Sequence, residues 1–295
     1  MKPLTLPAPA KLNLTLDILG SRPDGYHEMK MVMQSVSLAD RVTLEPQAGC
    51  GVLADSGLGF LPRDRKNLAV SAALVFYEAL GREPPGLRIT LEKHIPVCAG
   101  TAGGSSDAAA VLRGLNQLTG AGLSPRALAE LGAKVGSDVP YCVLGGTMLA
   151  EGRGEVLTPL PSLPPCTIVL CKPAFSISTP VLFQAWDRQK RHLRPDTDGL
   201  IAALEAGDLP GIARRTYNVF EAVLPANQRR EIDRIKNALI QAGALGAAMT
   251  GSGPTVFGLF DREAAARTAA EQLSEQYSEV FLTVPVTGEC RCGTY

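Results

Sequence analysis

Between Ile95 and Asn116 the chain reads IPVCAGTAGGSSDAAAVLRGLN, three glycines and two serines directly ahead of a helical pattern. Beyond Ser105 the apolar residues Ala108, Val111, Leu112 and Leu115 recur at i, i+3, i+4 and i+7, which predicts an amphipathic helix. A helix N-terminus leaves backbone N–H groups unpaired and carries partial positive charge, and glycine lets an anion come close. Phosphate is the natural guest of such a loop. Ser105 and Ser106 add hydroxyls that either cap the helix or touch a phosphate or its metal. The plainer reading of the stretch is a turn followed by an N-cap. No G-x-x-x-x-G-K-[ST] occurs and no G-x-G-x-x-G follows a strand, so any nucleotide site is of another type.

Phosphoryl transfer also needs a carboxylate to orient or deprotonate the acceptor hydroxyl and a cation beside the transferred group. Asp138, in Gly136-Ser137-Asp138-Val139-Pro140, reads either as a helix cap or as that carboxylate. Lys11 shares one face of a period-two run with Asn13, either a solvated face or a cleft wall. Tyr26 and His27 stand on a loop, available for packing or stacking. Asn67 opens a helix as its cap, and Lys93 ends a strand at the mouth of the glycine loop, solvated or facing a nucleotide. Gly251-Ser252-Gly253 separates two strand-like runs, as a hairpin turn or as a second wall for phosphates.

The elements that must position these groups alternate between the two periodicities. Strands are predicted over residues 11–19, with Leu12, Leu14, Leu16 and Ile18 on one face, and over 29–36, 41–44, 87–92, 167–171 and 280–286. Turns and short edges fill 50–60, and shorter extended runs cover 147–150 and 155–157. Helices are predicted over 67–80, from Ser124-Pro125 to near Gly136, from Thr179-Pro180, and over 199–206, 212–219, 227–242 and 264–276. The proline-dense LTPLPSLPPC from Leu157 reads as a linker, dividing the chain near residue 160 into units 1–160 and 161–295.

With 295 residues, 45% hydrophobic and 20% charged, the chain has length for two packed units. Lys plus Arg equals Asp plus Glu at 29 each, so no overall field attracts nucleic acid or an anionic membrane, and a small-molecule ligand is expected. Prolines at 3, 7 and 9 suit neither a secretory signal nor a spanning helix, which implies the cytoplasm. Seven scattered cysteines suit reduced thiols, with Cys98 read as a small buried thiol and Cys290-Arg-Cys292 as a poor zinc site. No metal-ligating set is assigned. The last residues, from Thr287, read as a frayed tail.

Three stretches in this order resemble the motifs of the GHMP small-molecule kinases: PAKLNL at 9–14, PVCAGTAGGSSDAA at 96–109 and MTGSGPTVFGLF at 249–260. RPDGYHEM at 22–29, GSDVPYCVLGG at 136–146 and SISTPVLF at 176–183 are similar to the branch that phosphorylates the 2-hydroxyl of 4-diphosphocytidyl-2-C-methyl-D-erythritol. The resemblance implies a two-domain α+β fold, with a ribosomal-protein-S5-like N-terminal domain and a ferredoxin-like C-terminal domain whose helices cover one face of its sheet. It implies Asp138 as catalytic base, Lys11 stabilising the transferring phosphoryl, and Asn13 on the substrate. Gly100, Thr101, Ala102, Gly103, Gly104, Ser105 and Ser106 would wrap the phosphates of ATP, with Asn67 and Lys93 towards adenosine. Tyr26 and Phe183 would sandwich cytosine, His27 would bond its polar edge, and Thr179, Gly251, Ser252 and Gly253 would border the diphosphate. Mg2+ is implied with ATP, and a monomer or weak homodimer. The family run usually reads G-L-G-G-G-S-S; Ala102 stands where glycine is usual, and a positive φ there costs about 1 kcal/mol. Asp107, beside the phosphates, is expected to point away or to reach the metal through water.

Overall fold

The structure, a computed structural model, describes residues 2–189 and 193–287. Its first half holds β1 (Leu4–Ser21), β2 (His27–Cys50), β3 (Val52–Asp55), α1 (Leu68–Ala79), β4 (Pro85–Glu92), α2 (Gly103–Thr119), α3 (Pro125–Ala133), α4 (Val139–Leu144), β5 (Thr147–Gly152) and β6 (Val156–Pro159). The second half holds β7 (Thr167–Lys172), α5 (Thr179–Asp187), α6 (Thr197–Glu205), α7 (Leu209–Arg214), β8 (Tyr217–Asn218) and a 3₁₀ turn, Val219–Val223. It continues with α8 (Ala226–Gln241), β9 (Gly246–Met249), β10 (Val256–Phe260), α9 (Glu263–Ser274) and β11 (Glu279–Thr283). The proline-dense stretch runs from β6 to β7. Among the described residues no helix is long and apolar enough to cross a membrane.

The first sheet is organised on the long antiparallel pair β1 and β2, in register from Leu4↔Leu44 to Ser21↔His27. The two strands expected at 29–36 and 41–44 are thus one, because β1 offers partners along its whole length. β4 and β5 flank β2, with β3 beyond β4 and β6 beyond β5. A register shift between Asn13 and Thr15 corrects the single apolar face expected of β1. Leu12 and Leu14 pack into one core and Leu16 and Ile18 into another, since a bulge moves the following side chains to the opposite face. The solvated-face reading of Lys11, Asn13, Thr15 and Asp17 fails: all four are buried, none more than 4% exposed.

The second sheet runs β11-β7-β10-β9, antiparallel throughout. Counted within this sheet, the first strand therefore lies between the fourth and the third, the ferredoxin-like order. Val169, Cys171 and Val256 share a core with Ile232, Ile235 and Leu239 of α8 and Ala266 and Leu273 of α9. The opposite face is covered too, contrary to the one-sided packing expected. Ile168, Leu170, Phe257 and Leu259 join Leu12, Leu14 and Val32 of the first sheet and Leu200, Leu204 and Ile212 of α6 and α7. That explains why β7 reads as an unbroken apolar run.

The helix expected over 212–219 stops at Arg214, and Tyr217 and Asn218 pair in parallel with Thr15 and Leu16 of β1. Tertiary pairing there overrides a helical pattern. The last strand also ends early, at Thr283, and a single bridge joins Pro285 to Val36.

Candidate active site

Asp138 stands at the head of α4, yet its side chain makes no capping hydrogen bond. Its Oδ2 lies 3.8 Å from the Lys11 ammonium, with the Lys11 side chain 5% and Asp138 32% exposed. Lys11 Nζ donates to Asn13 Oδ1 at 2.6 Å, a pairing that period two in β1 makes possible. The Lys11 backbone N–H donates to Thr101 O at 3.1 Å, tying β1 to the glycine loop. Asn13 donates its backbone N–H to Thr250 Oγ1 at 2.9 Å and its amide to Met31 Sδ at 3.3 Å.

The two glycine stretches lie back to back. A Cβ on Gly100 would fall 2.3 Å from Thr250 O, and one on Gly251 would fall 2.5 Å from Gly100 O, so neither position admits a side chain. Gly100 at φ +77° and Gly251 at φ +57° are also in the left-handed region. Asn218, fully buried, donates to both Met249 O and Gly251 O at 2.8 Å and accepts from Phe220 N–H at 3.0 Å. Thr179 Oγ1 donates to Ser252 Oγ at 2.9 Å. Gly251-Ser252-Gly253 is both the β9–β10 hairpin turn and, through Gly251 and Ser252, a wall of the cleft. Gly253 is turned from the cleft towards Met249.

α2 begins at Gly103, so Gly103 and Gly104 belong to its first turn, earlier than the apolar pattern alone indicates. Ala102 precedes it at φ +58° with no side-chain cap, the strained conformation a glycine would adopt freely. Ser105 faces the cleft. Ser106 is buried and donates to Pro9 O at 2.6 Å, which corrects its reading as a cap or phosphate contact.

Lys93 is neither solvated nor free for a nucleotide. Its ammonium is bonded to Asp40 and, at 2.5 Å, to Asp107, and Asp40 Oδ1 also accepts from His94 N–H at 2.6 Å and Ile95 N–H at 2.8 Å. Two carboxylates and one ammonium leave one uncompensated negative charge. Burial, together with Asp40 and against the pull of Lys93, raises the Asp107 pKa to about 7. Burial works to lower that of Lys93, but the two carboxylates outweigh it and hold it above the ordinary lysine value. Asp107 is thus bonded to Lys93 in this triad and also lines the cleft. Asn67 caps α1, accepting from Ala69 N–H at 3.0 Å, and lines the cleft as well.

At the opposite end, His27 stacks on Phe183 with centroids 4.5 Å apart and planes 17° apart, and its Nε2 is 2.8 Å from Asp187 Oδ1. One face of Phe183 is thus taken by His27. Tyr26 is 56% exposed, with the Arg153 guanidinium 4.9 Å from its ring centroid. Phe183 and Arg153 line the cleft; Tyr26 and His27 stand outside its wall.

The cleft measures about 530 Å³ and brings together Lys11, Asn13, Asn67, Lys93, Gly100 to Ser105, Asp138, Thr179, Phe183, Gly251 and Ser252. Cys98 lines it at φ +54° and is exposed, correcting its reading as a buried thiol. The five described cysteines are free, and burial raises Cys166 and Cys171 to about 12. Cys290 and Cys292, and the tail from residue 288, lie outside the described residues. Sequence reasoning missed Asp40, Arg153, Asn218 and Thr250. Only Asn218, in Tyr217-Asn218-Val219, carried a trace of signal, as a polar residue inside an apolar run.

Residues 67–146 match the model of the GHMP kinases N terminal domain, and residues 200–279 that of the GHMP kinases C terminal. The chain is 46% identical over 289 residues to 4-diphosphocytidyl-2-C-methyl-D-erythritol kinase of Geobacillus thermodenitrificans, covering 97% of this chain and 98% of that protein. It is 44% identical over 286 residues to the enzyme of the same name from Caldicellulosiruptor saccharolyticus, covering 97% and 98%. A crystal structure of 4-(cytidine 5'-diphospho)-2C-methyl-D-erythritol kinase superposes with a TM-score of 0.81 at 35% identity, covering 97% of this chain and 100% of that one. The chain belongs to the 4-diphosphocytidyl-2-C-methyl-D-erythritol kinase family of the GHMP kinases.

Proposed function

We propose that the chain transfers the γ-phosphoryl group of ATP to the 2-hydroxyl of 4-diphosphocytidyl-2-C-methyl-D-erythritol, giving the 2-phosphate and ADP in the non-mevalonate route to isoprenoid precursors. The observation that carries the reading is Asp138, a half-buried carboxylate that caps nothing and sits 3.8 Å from Lys11 in the cleft that holds the glycine loop. Asp138 takes the hydroxyl proton as the acceptor oxygen attacks phosphorus. Lys11, steadied by Asn13, lies 3.8 Å from that carboxylate and faces the oxygens that gain charge. Gly100 to Ser105 and the first turn of α2 hold the donor phosphates with backbone N–H groups.

Among the described residues no group of three or more His, Cys, Asp or Glu gathers. Mg2+ commonly takes one or two protein carboxylates and fills its shell with phosphate oxygens and water. Asp107, whose buried Oδ1 has no hydrogen-bond partner among the described residues, and Ser105, which faces the cleft, would fit such a sparse set. A Mg2+ held there would supply charge neutralisation to the phosphate oxygens.

The same reading takes residues 1–160 and 161–295 as two units of a cytoplasmic monomer or weak homodimer without nucleic-acid or membrane partners. Cytosine is read at the Phe183 end, where His27 yields the ring face it now covers and Tyr26 closes from outside. Single-turnover assays of Asp138→Asn test the proposal: transfer is lost while ATP titrates as before. Transfer at the parental rate would remove Asp138 from the mechanism.

A further inference from the structure

A diphosphate-linked acceptor brings two or more negative charges into the cleft beside ATP, and among the described residues the cations that line it are Lys11, Lys66, Lys93 and Arg153. Lys11 is committed to Asn13 and Asp138, and Lys93 to Asp40 and Asp107. Lys66 lines the cleft next to Asn67, at the adenosine end of the proposed arrangement. The Gly251-Ser252 wall is neutral. Arg153 remains.

Arg153 occupies the short turn between β5 and β6, flanked by Gly152 at φ +69° and Gly154 at φ +113°. The turn leans on the catalytic corner, since a Cβ on Gly154 would lie 3.3 Å from Met31 Cε and 3.9 Å from Ser137 O. Glu155 fixes the turn by accepting the Arg153 backbone N–H at 2.7 Å, but meets the guanidinium only at 3.7 Å with both side chains part-exposed. Such a loose, solvated pair holds a guanidinium weakly. The guanidinium itself lies over Tyr26 at 4.9 Å and lines the same cleft as Ser137 and Asp138. It thus borders the aromatic end, on a turn whose Gly154 approaches Ser137, and lines the cleft that holds Asp138. In a molecule whose base lies at one end and whose reacting hydroxyl lies at the other, the diphosphate falls in between.

We propose that Arg153 is a specificity residue that binds the diphosphate of the acceptor, opposite the neutral Gly251-Ser252 wall. This rests on the acceptor reading given above. A planar guanidinium offers two parallel donors to a phosphate and exchanges its loose contact with Glu155 for a charge-assisted pair. Stacking on Tyr26 keeps it aimed along the cleft while the site is free.

Cytidine and CDP, titrated into the parent chain and Arg153→Gln by calorimetry without ATP, separate the possibilities. The parent binds CDP more tightly than cytidine. In the variant CDP weakens roughly 10- to 100-fold while cytidine is unchanged, and Arg153→Lys recovers part of the CDP affinity. CDP binding unchanged in the variant, or cytidine and CDP weakened equally, overturns the inference; the second result would make Arg153 a support for Tyr26 alone. A parent that binds neither ligand overturns the acceptor reading, and this inference with it.

Discussion

At the scale of single residues, the site is built of groups whose surroundings contradict their commonest use. Asp138 sits where a cap belongs and does not cap; Lys11 lies on a strand face that usually meets water and is buried. Asp138→Asn is expected to lower turnover at least about 100-fold, the ordinary contribution of a positioned base, with ATP affinity retained. Tyr26→Ala should raise KM for the cytidine acceptor and leave kcat nearly constant, with about 1–3 kcal/mol of stacking at stake. Steady-state kinetics separates the two, and an unchanged acceptor KM would remove Tyr26 from base recognition. The pairing of Lys11 with Asn13 was legible because period two is local. Asp40 was not: a lone aspartate in a strand gives no hint that Lys93, His94 and Ile95 will converge on it from more than fifty residues away.

At the scale of elements, the two glycine stretches work as one part. Their backbones touch at Gly100 and Gly251, and Asn218 fastens the second stretch from a strand that crosses into the first sheet. Gly100→Ala should cost about 2 kcal/mol or more, through both its positive φ and a collision with Thr250 O, and should weaken ATP binding. Chemical denaturation with parallel ATP titration measures both effects. Each stretch was readable alone as a small-residue turn, but their contact was not, because no periodicity encodes where two distant loops meet. The helix predicted over 212–219 failed for the same reason. Its last residues find partners in β1, which outweigh their own preference.

At the scale of the whole molecule, one sheet serves as the floor of the other, and the reaction corner is built where β1 meets both. The fold class followed from three ordered motifs, whereas the covering of both faces of the second sheet did not, since an apolar run such as Ile168 to Cys171 fits any fully buried strand. The buried triad under α2 should leave its mark on global stability. Asp107 binds its proton more tightly folded than unfolded, its pKa being raised from 3.8 to about 7. Its contribution is therefore full below about pH 4 and is lost as pH rises through about 7. Urea titrations in EDTA at pH 5 and pH 8 should show Asp107→Asn gaining on the parent at the higher pH; a constant difference would place Asp107 outside the titration. The central claim is the transfer itself. Phosphorus NMR of the chain with Mg-ATP and 4-diphosphocytidyl-2-C-methyl-D-erythritol, with mevalonate and homoserine in parallel samples, tests it directly. A new phosphomonoester resonance is expected with the cytidine acceptor alone. A phosphomonoester formed only from mevalonate or homoserine, or from none of the three, would contradict it.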